Sequence, residues 1–341
     1  MNRALRLRTT RHGWRGRAAR IVVLVVAAAA GLSSVPTAAA AGRPYRVTAR
    51  IGVDSPFGVA VDEGARKLFV TSLNDDTVSV VDERTNKVVH TIPVGESPDA
   101  IAVDPHRSTV YVVNSYDDTL SVIDEASRTV KTTVALGNEP GIVAVDPRLG
   151  VVYVANSQDD TVSVISEATN TVTAKLRAGW APYGVAVDPG RHTVYISNEG
   201  DNTVSVIDEN TNAVIHTIKV GRTPEGLAID PVSQTVYVTN FEGKSVTAIN
   251  EVTNRVTATI TVGNSPKAVA IDPGTHTVYV ANISNKVGNE GHTVSVIDGA
   301  SRRVTATVNV GQLPGALTVD PSTHKVYVAN ANSATVSVIT R

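Results

Sequence analysis

One unit recurs seven times along this chain, and no other feature constrains its fold as strongly. A landmark proline in a G-x-x-P-type turn stands at Pro56, Pro98, Pro140, Pro182, Pro224, Pro266 and Pro314. Their spacing is 42 residues five times running, then 48, with the six extra residues inside 283–292. Each proline opens a GVAVD-like run that ends at Asp62, Asp104, Asp146, Asp188, Asp230, Asp272 or Asp320. A YVTN-like run follows, from FVTS at Phe69 to YVAN at Tyr327, then a TVSVID-like run and a VTATI-like run. Every run is short, β-branched and bounded by Gly, Pro, Asn or Asp, so each reads as a strand. Four such strands per repeat make a propeller blade. A helical solenoid is excluded, because no 3.6-residue period is present and turn signals arrive about every ten residues.

The physics of burial points the same way. One four-stranded sheet cannot bury both faces, but a ring of seven packs each face against a neighbour. Alanines at Ala60, Ala102, Ala144, Ala186, Ala228 and Ala270 suit the innermost strand, where tapering blades converge. The tyrosines then belong one strand further out. The last repeat has three strands, and Arg46 to Ile51 (RVTARI) matches Arg255 to Ile260 (RVTATI). The expected fold is therefore an all-β, seven-bladed propeller of four-stranded blades, formed as one domain by residues 42–341. Its N-terminal strand completes the last blade and removes the open edges that invite aggregation.

Residues 1–41 read as a secretory signal peptide. They carry seven arginines (Arg3, Arg6, Arg8, Arg11, Arg15, Arg17 and Arg20), an apolar run over 21–32, and alanines at 38–41 after Pro36. The apolar run falls short of the roughly 20 residues that span a bilayer. Without this segment the chain holds 24 basic and 32 acidic residues, a net charge of −8. That charge excludes general binding to nucleic acid or anionic membrane. The absence of cysteine excludes disulfides, thiolate zinc sites and thiol nucleophiles. The expected protein is secreted or held at the cell surface, monomeric, with no membrane span in the mature chain.

The repeated YVTN with its flanking G-x-x-P and VSVID resembles the YVTN-type β-propeller repeat family. That family includes archaeal surface-layer-like propellers and bacterial secreted proteins of the YncE type. The resemblance covers all of residues 42–341, and the Trp-Asp and Gly-His marks of WD40 blades are absent. It implies a secreted seven-bladed propeller engaged in surface interactions. The fold hosts both enzymes and scaffolds, so it does not choose a function.

Departures from the repeat locate candidate sites. Propeller geometry places the link between blades and the loop after YVTN on one face, here called the top. The residue after the landmark proline is Phe57, Asp99, Gly141, Tyr183, Glu225, Lys267 or Gly315, and it belongs near the mouth of the central channel. Trp180, Tyr183, Arg222, Glu225, Phe241 and Lys244 lie in top loops of neighbouring blades and are expected to form one patch. Tyr116 adds another top-loop aromatic. Aromatics beside charges mark recognition surfaces for carbohydrate or protein. The ligand-binding candidates are therefore Trp180, Tyr183, Arg222, Glu225, Phe241, Lys244, Phe57, Asp99, Lys267 and Tyr116. The expected partner is a cell-envelope glycan, peptide or protein.

Catalytic patterns are sparse. There is no G-x-S-x-G elbow and no H-E-x-x-H. His192, His276 and His324 share one repeat position and read as bottom-turn residues, with His106 close by; His90 and His216 share another, on outer strands. His292 alone lies near the top. An acidic crescent (Asp75-Asp76, Asp117-Asp118, Asp159-Asp160, Asp201) reads as turn chemistry, with calcium or magnesium as the ion it could hold. No other cofactor is expected. The leading expectation is a non-catalytic binding module. The alternative is a metal-dependent hydrolase or lyase, lactonase-like or streptogramin-lyase-like, with its site at the channel mouth.

Overall fold

The computed structural model describes residues 44–283 and 292–341. The expected signal peptide and most of the 283–292 insertion lie outside the described residues. Seven four-stranded antiparallel sheets follow one another around a ring. Blade 1 consists of strands Pro56–Asp62, Lys67–Ser72, Thr77–Asp82 and Lys87–Pro93. Blades 2 to 6 repeat this order, opening at Pro98, Pro140, Pro182, Pro224 and Pro266. Blade 7 consists of Pro314–Asp320, Lys325–Asn330 and Thr335–Thr340, and its fourth strand is Arg46–Gly52 from the other end of the chain. Ring closure thus follows the sequence expectation: Ile51 pairs with Val336 and is 2% exposed in the core. Among the described residues no helix is long and apolar enough to cross a membrane.

The core lies between blades. Tyr111, Tyr153, Tyr195, Tyr237, Tyr279 and Tyr327, with Phe69, are buried on the second strand of each blade. Valines and isoleucines of the third strand pack against them. The fourth strands are mostly exposed, which is why their sequences are threonine-rich and only loosely repeated.

The top face is built by one device used repeatedly. The residue before each landmark proline (Ser55, Ser97, Glu139, Ala181, Thr223, Ser265, Leu313) has a left-handed φ between 41° and 54°. Side chains rarely adopt that region, and a following proline disfavours the helical alternative. It is held from both sides. Its carbonyl accepts the amide that opens the next loop, as in Ser115 N to Ser97 O at 3.0 Å. Its own amide donates to the previous blade's acidic crescent, as in Ser97 N to Asp76 Oδ1 and Glu139 N to Asp118 Oδ1, both 2.9 Å. Asp117, Asp159 and Asp201 take the neighbouring amides of Glu96, Asn138 and Trp180. The crescent therefore holds the links between blades.

The YVTN asparagines are also structural. Asn156 Nδ2 donates to Thr161 and Ser163, and its Oδ1 accepts Gly137 N at 3.1 Å. A Cβ at Gly137 would collide with that side chain, which explains the glycine of the G-x-x-P turn.

Candidate functional site at the top-face channel mouth

All seven innermost strands break register just after the landmark proline, as between Pro140 and Val143. Such bulges re-aim side chains. Here they project Phe57, Asp99, Tyr183 and Lys267 around one central cavity of about 160 Å³, with Gly315 completing the wall. The backbones beneath are fixed by a hydroxyl relay. Thr71 Oγ1 accepts Gly58 N at 2.7 Å and donates to Asp99 O at 3.1 Å. Ser197 links Gly184 N to Glu225 O, and Thr239 links Gly226 N to Lys267 O. The glycines are needed because the next blade's backbone leaves no room for a Cβ.

Lys267 is the electrostatic centre of the mouth. Its Nζ lies 3.4 Å from Glu225 Oε2 and donates to the Tyr183 hydroxyl at 3.3 Å. It also stands 5.2 Å from the Tyr183 ring centre and 5.7 Å from that of Phe57, both within cation–π range. The Lys267–Glu225 contact is an ion pair without hydrogen-bond geometry, since Glu225 Oε2 is buried with no hydrogen-bond partner. Burial alone would lower the Lys267 ammonium, but Tyr183, Glu225 and Asp99 outweigh it and hold the group above its ordinary value. Burial pushes Asp99 up to about 6, with Lys267 restraining the rise. Burial pushes Glu199 up to about 7, Glu225 adds to the shift, and Lys267 opposes it.

Beside this cavity lies a wider cleft of about 350 Å³ that shares Asp99 and Tyr183 with it. Its other walls are Ser97, Ser115, Tyr116, Glu139, Gly141 and Ser157. Gly141 is decisive. It occupies the mouth position of blade 3 without a side chain, and the space beside it is walled by the Tyr183 ring. Ser157 Oγ donates to Glu139 Oε2 at 3.3 Å, and Tyr116 is 76% exposed on the rim. The cleft therefore offers an open aromatic, two carboxyls and several hydroxyls facing one space.

The expected single patch divides in two. Tyr183 and Glu225 turn inward to the mouth with Phe57, Asp99 and Lys267. Trp180, Arg222, Phe241 and Lys244 stay on the rim. Trp180 is 64% exposed and lies over Gly200. Arg222 approaches Glu242 at 3.8 Å, both well exposed, a contact worth little. The reason is local: the left-handed residues Ala181, Thr223 and Lys244 set loop directions that residue type does not reveal. The sequence also offers Glu139 as a top-face carboxylate, beside Asp99 and Glu225, whereas Glu199, Ser115 and Ser157 escaped sequence reasoning. The available signal was Gly141, one of the two mouth positions, with Gly315, that carry no side chain.

Among the described residues, no group of three or more His, Cys, Asp or Glu side chains comes together as a metal would require. His292 serves structure, its ring nitrogen accepting Leu313 N at 3.4 Å. The bottom-turn histidines do more than turn. His276 Nδ1 lies 2.8 Å from Asp230 Oδ2, and His324 Nδ1 lies 2.7 Å from Asp272 Oδ2, each reaching the preceding blade.

A family model described as YNCE-like beta-propeller matches residues 142–234. Among solved structures, a chain of Kuenenia stuttgartiensis hydrazine synthase superposes with a TM-score of 0.74 at 21% identity, covering 85% of this chain and 96% of that chain. At that identity the likeness is one of fold. No curated protein matches the sequence.

Proposed function

We propose that this YncE-like seven-bladed propeller is a secreted or cell-surface binding module, without catalysis, whose ligand enters the cleft between Tyr116 and Tyr183. One observation carries the reading: the cleft beside Gly141 shares two walls, Asp99 and Tyr183, with the channel mouth. An exposed aromatic beside carboxyls and hydroxyls suits a polyhydroxylated ligand, with the ring covering an apolar face and the polar groups fixing orientation. Asp99 and Glu139 disfavour an anionic one. An envelope glycan, neutral or amino-bearing, fits both conditions.

The reading is tested by hydrogen exchange on the protein with and without soluble glycan fragments from the host envelope. Binding in the cleft slows exchange at the links around Ser97 and Glu139 and the loops around Ser115 and Ser157. Protection confined to the bottom turns, or none anywhere, removes the proposal.

A further inference from the structure

The sequence repeats a glutamate just after the third strand, at Glu83, Glu125, Glu167, Glu209 and Glu251. Its position in a turn predicts exposure. In the structure all five are buried, between 3% and 8% exposed. Each reaches the seam with the preceding blade, where it faces the aspartate that ends the innermost strand. The pairs are Asp62 with Glu125, Asp104 with Glu167, Asp146 with Glu209, Asp188 with Glu251 and, across the ring closure, Asp320 with Glu83.

Two seams supply a cation. Lys67 Nζ lies 2.9 Å from Glu125, and Arg107 lies 2.8 Å from Glu167 and 3.0 Å from Asp104. The seams of Glu83, Glu209 and Glu251 have no such direct contact. Glu209 faces Asp146, Tyr153 and Arg148, with His192 Nδ1 at 3.9 Å. Arg148 is itself turned to the His192 ring at 3.0 Å. Glu251 faces Asp188, Arg191 and Tyr195. Both oxygens of each glutamate, and Asp146 Oδ2, are buried without a hydrogen-bond partner.

Two carboxylates are acceptors only, so they cannot bond to each other without a proton. Leaving such oxygens buried and unpaired costs on the order of 1–3 kcal/mol per group. The Asp146 side chain already accepts the amides of Arg148 and Leu149 through Oδ1, which suits a carboxylate. The proton therefore belongs to the glutamate.

We propose that the Asp146–Glu209 and Asp188–Glu251 pairs each hold a shared proton, and that these protons staple neighbouring blades so that the ring is tighter in acid than in alkali. The site requires a proton and nothing larger. Burial first, then the facing aspartates, push Glu209 up to about 7 and Glu251 up to about 8. A folded-state value above the unfolded one means stability that is complete below about pH 4.5 and lost as pH rises through 7 and 8. This runs opposite to the usual acid denaturation of ion-paired carboxylates.

The test is equilibrium unfolding of the parent and of Glu209→Gln/Glu251→Gln from about pH 5 to pH 9. Glutamine keeps the shape and carries a permanent donor. The parent's unfolding constant should rise by about tenfold or more across that range, and the double variant should rise by clearly less, the remainder coming from Asp99 and Glu199. A parent whose stability is flat or increases, or a variant that keeps the parent's slope, overturns the proposal. Carboxyl carbon shifts in the parent give a check that needs no variant. Glu199 contributes one signal near 7; beyond it, further glutamate signals should titrate near 7 and 8, and titration of every other glutamate in the ordinary acidic range refutes it.

Discussion

Lys267 and Glu225 meet at 3.4 Å in the middle of the ring, contributed by adjacent blades and screened from water by Phe57 and Tyr183. Their side chains are 20% and 9% exposed, so this pair is largely desolvated. Removing one partner strands the other. Lys267→Met should destabilise the protein by about 3 kcal/mol, and adding Glu225→Gln should recover most of that loss. Denaturant titration of the two single variants and the double variant measures the coupling.

Asp99 gives a second, pH-dependent expectation. Its folded value of about 6 lies above the ordinary 3.8, chiefly through burial. A raised carboxyl contributes stability below about 3.8 that is lost as pH climbs through 6. Asp99→Asn should therefore be more stable than the parent at pH 8, on the order of 2 kcal/mol, and lose that advantage by pH 4. Thermal melts at the two pH values decide it.

Blade 1 offers an internal exchange experiment. It has Phe69 where other blades have tyrosine, so Glu125 lacks the hydroxyl that Tyr111 gives Glu167 at 2.9 Å. Lys67 fills the gap. Lys67→Met should cost about 1–3 kcal/mol, and Phe69→Tyr should restore part of it in that background. In the parent background the same Phe69→Tyr change should give little. A chemical denaturation cycle over the four proteins reads the difference.

Ring closure can be probed through Ile51. It is buried to 2% in a core that also holds Val336 and Tyr327. Ile51→Ala should cost about 2–5 kcal/mol, as a core truncation does. Val256→Ala, at a position 41% exposed on an outer strand, should cost far less.

These positions show what the residues alone disclose. Blade number, strand order and the closing strand are legible because a fixed period repeats one burial pattern and the Arg46 run matches the Arg255 run. The mouth set of Phe57, Asp99, Tyr183, Glu225 and Lys267 is legible because it occupies one repeat position. The direction of Trp180 and Arg222 is not, since it depends on left-handed loop residues. The seam glutamates were hidden by their regularity, which reads as turn chemistry. Their signal lies in compensation within the chain. Where Gly299 replaces the glutamate, His276 takes the aspartate of that seam, and where Phe69 replaces tyrosine, Lys67 appears.

The central claim is that the cleft beside Gly141 binds an envelope ligand. Its most direct test is a binding isotherm of residues 42–341 on the host's own cell-envelope fraction, run beside a Tyr116→Ala/Glu139→Gln variant. The account predicts saturable binding by the parent and a loss of at least about tenfold in the variant, with melting temperature unchanged. Equal binding by both, or none by the parent, would contradict it.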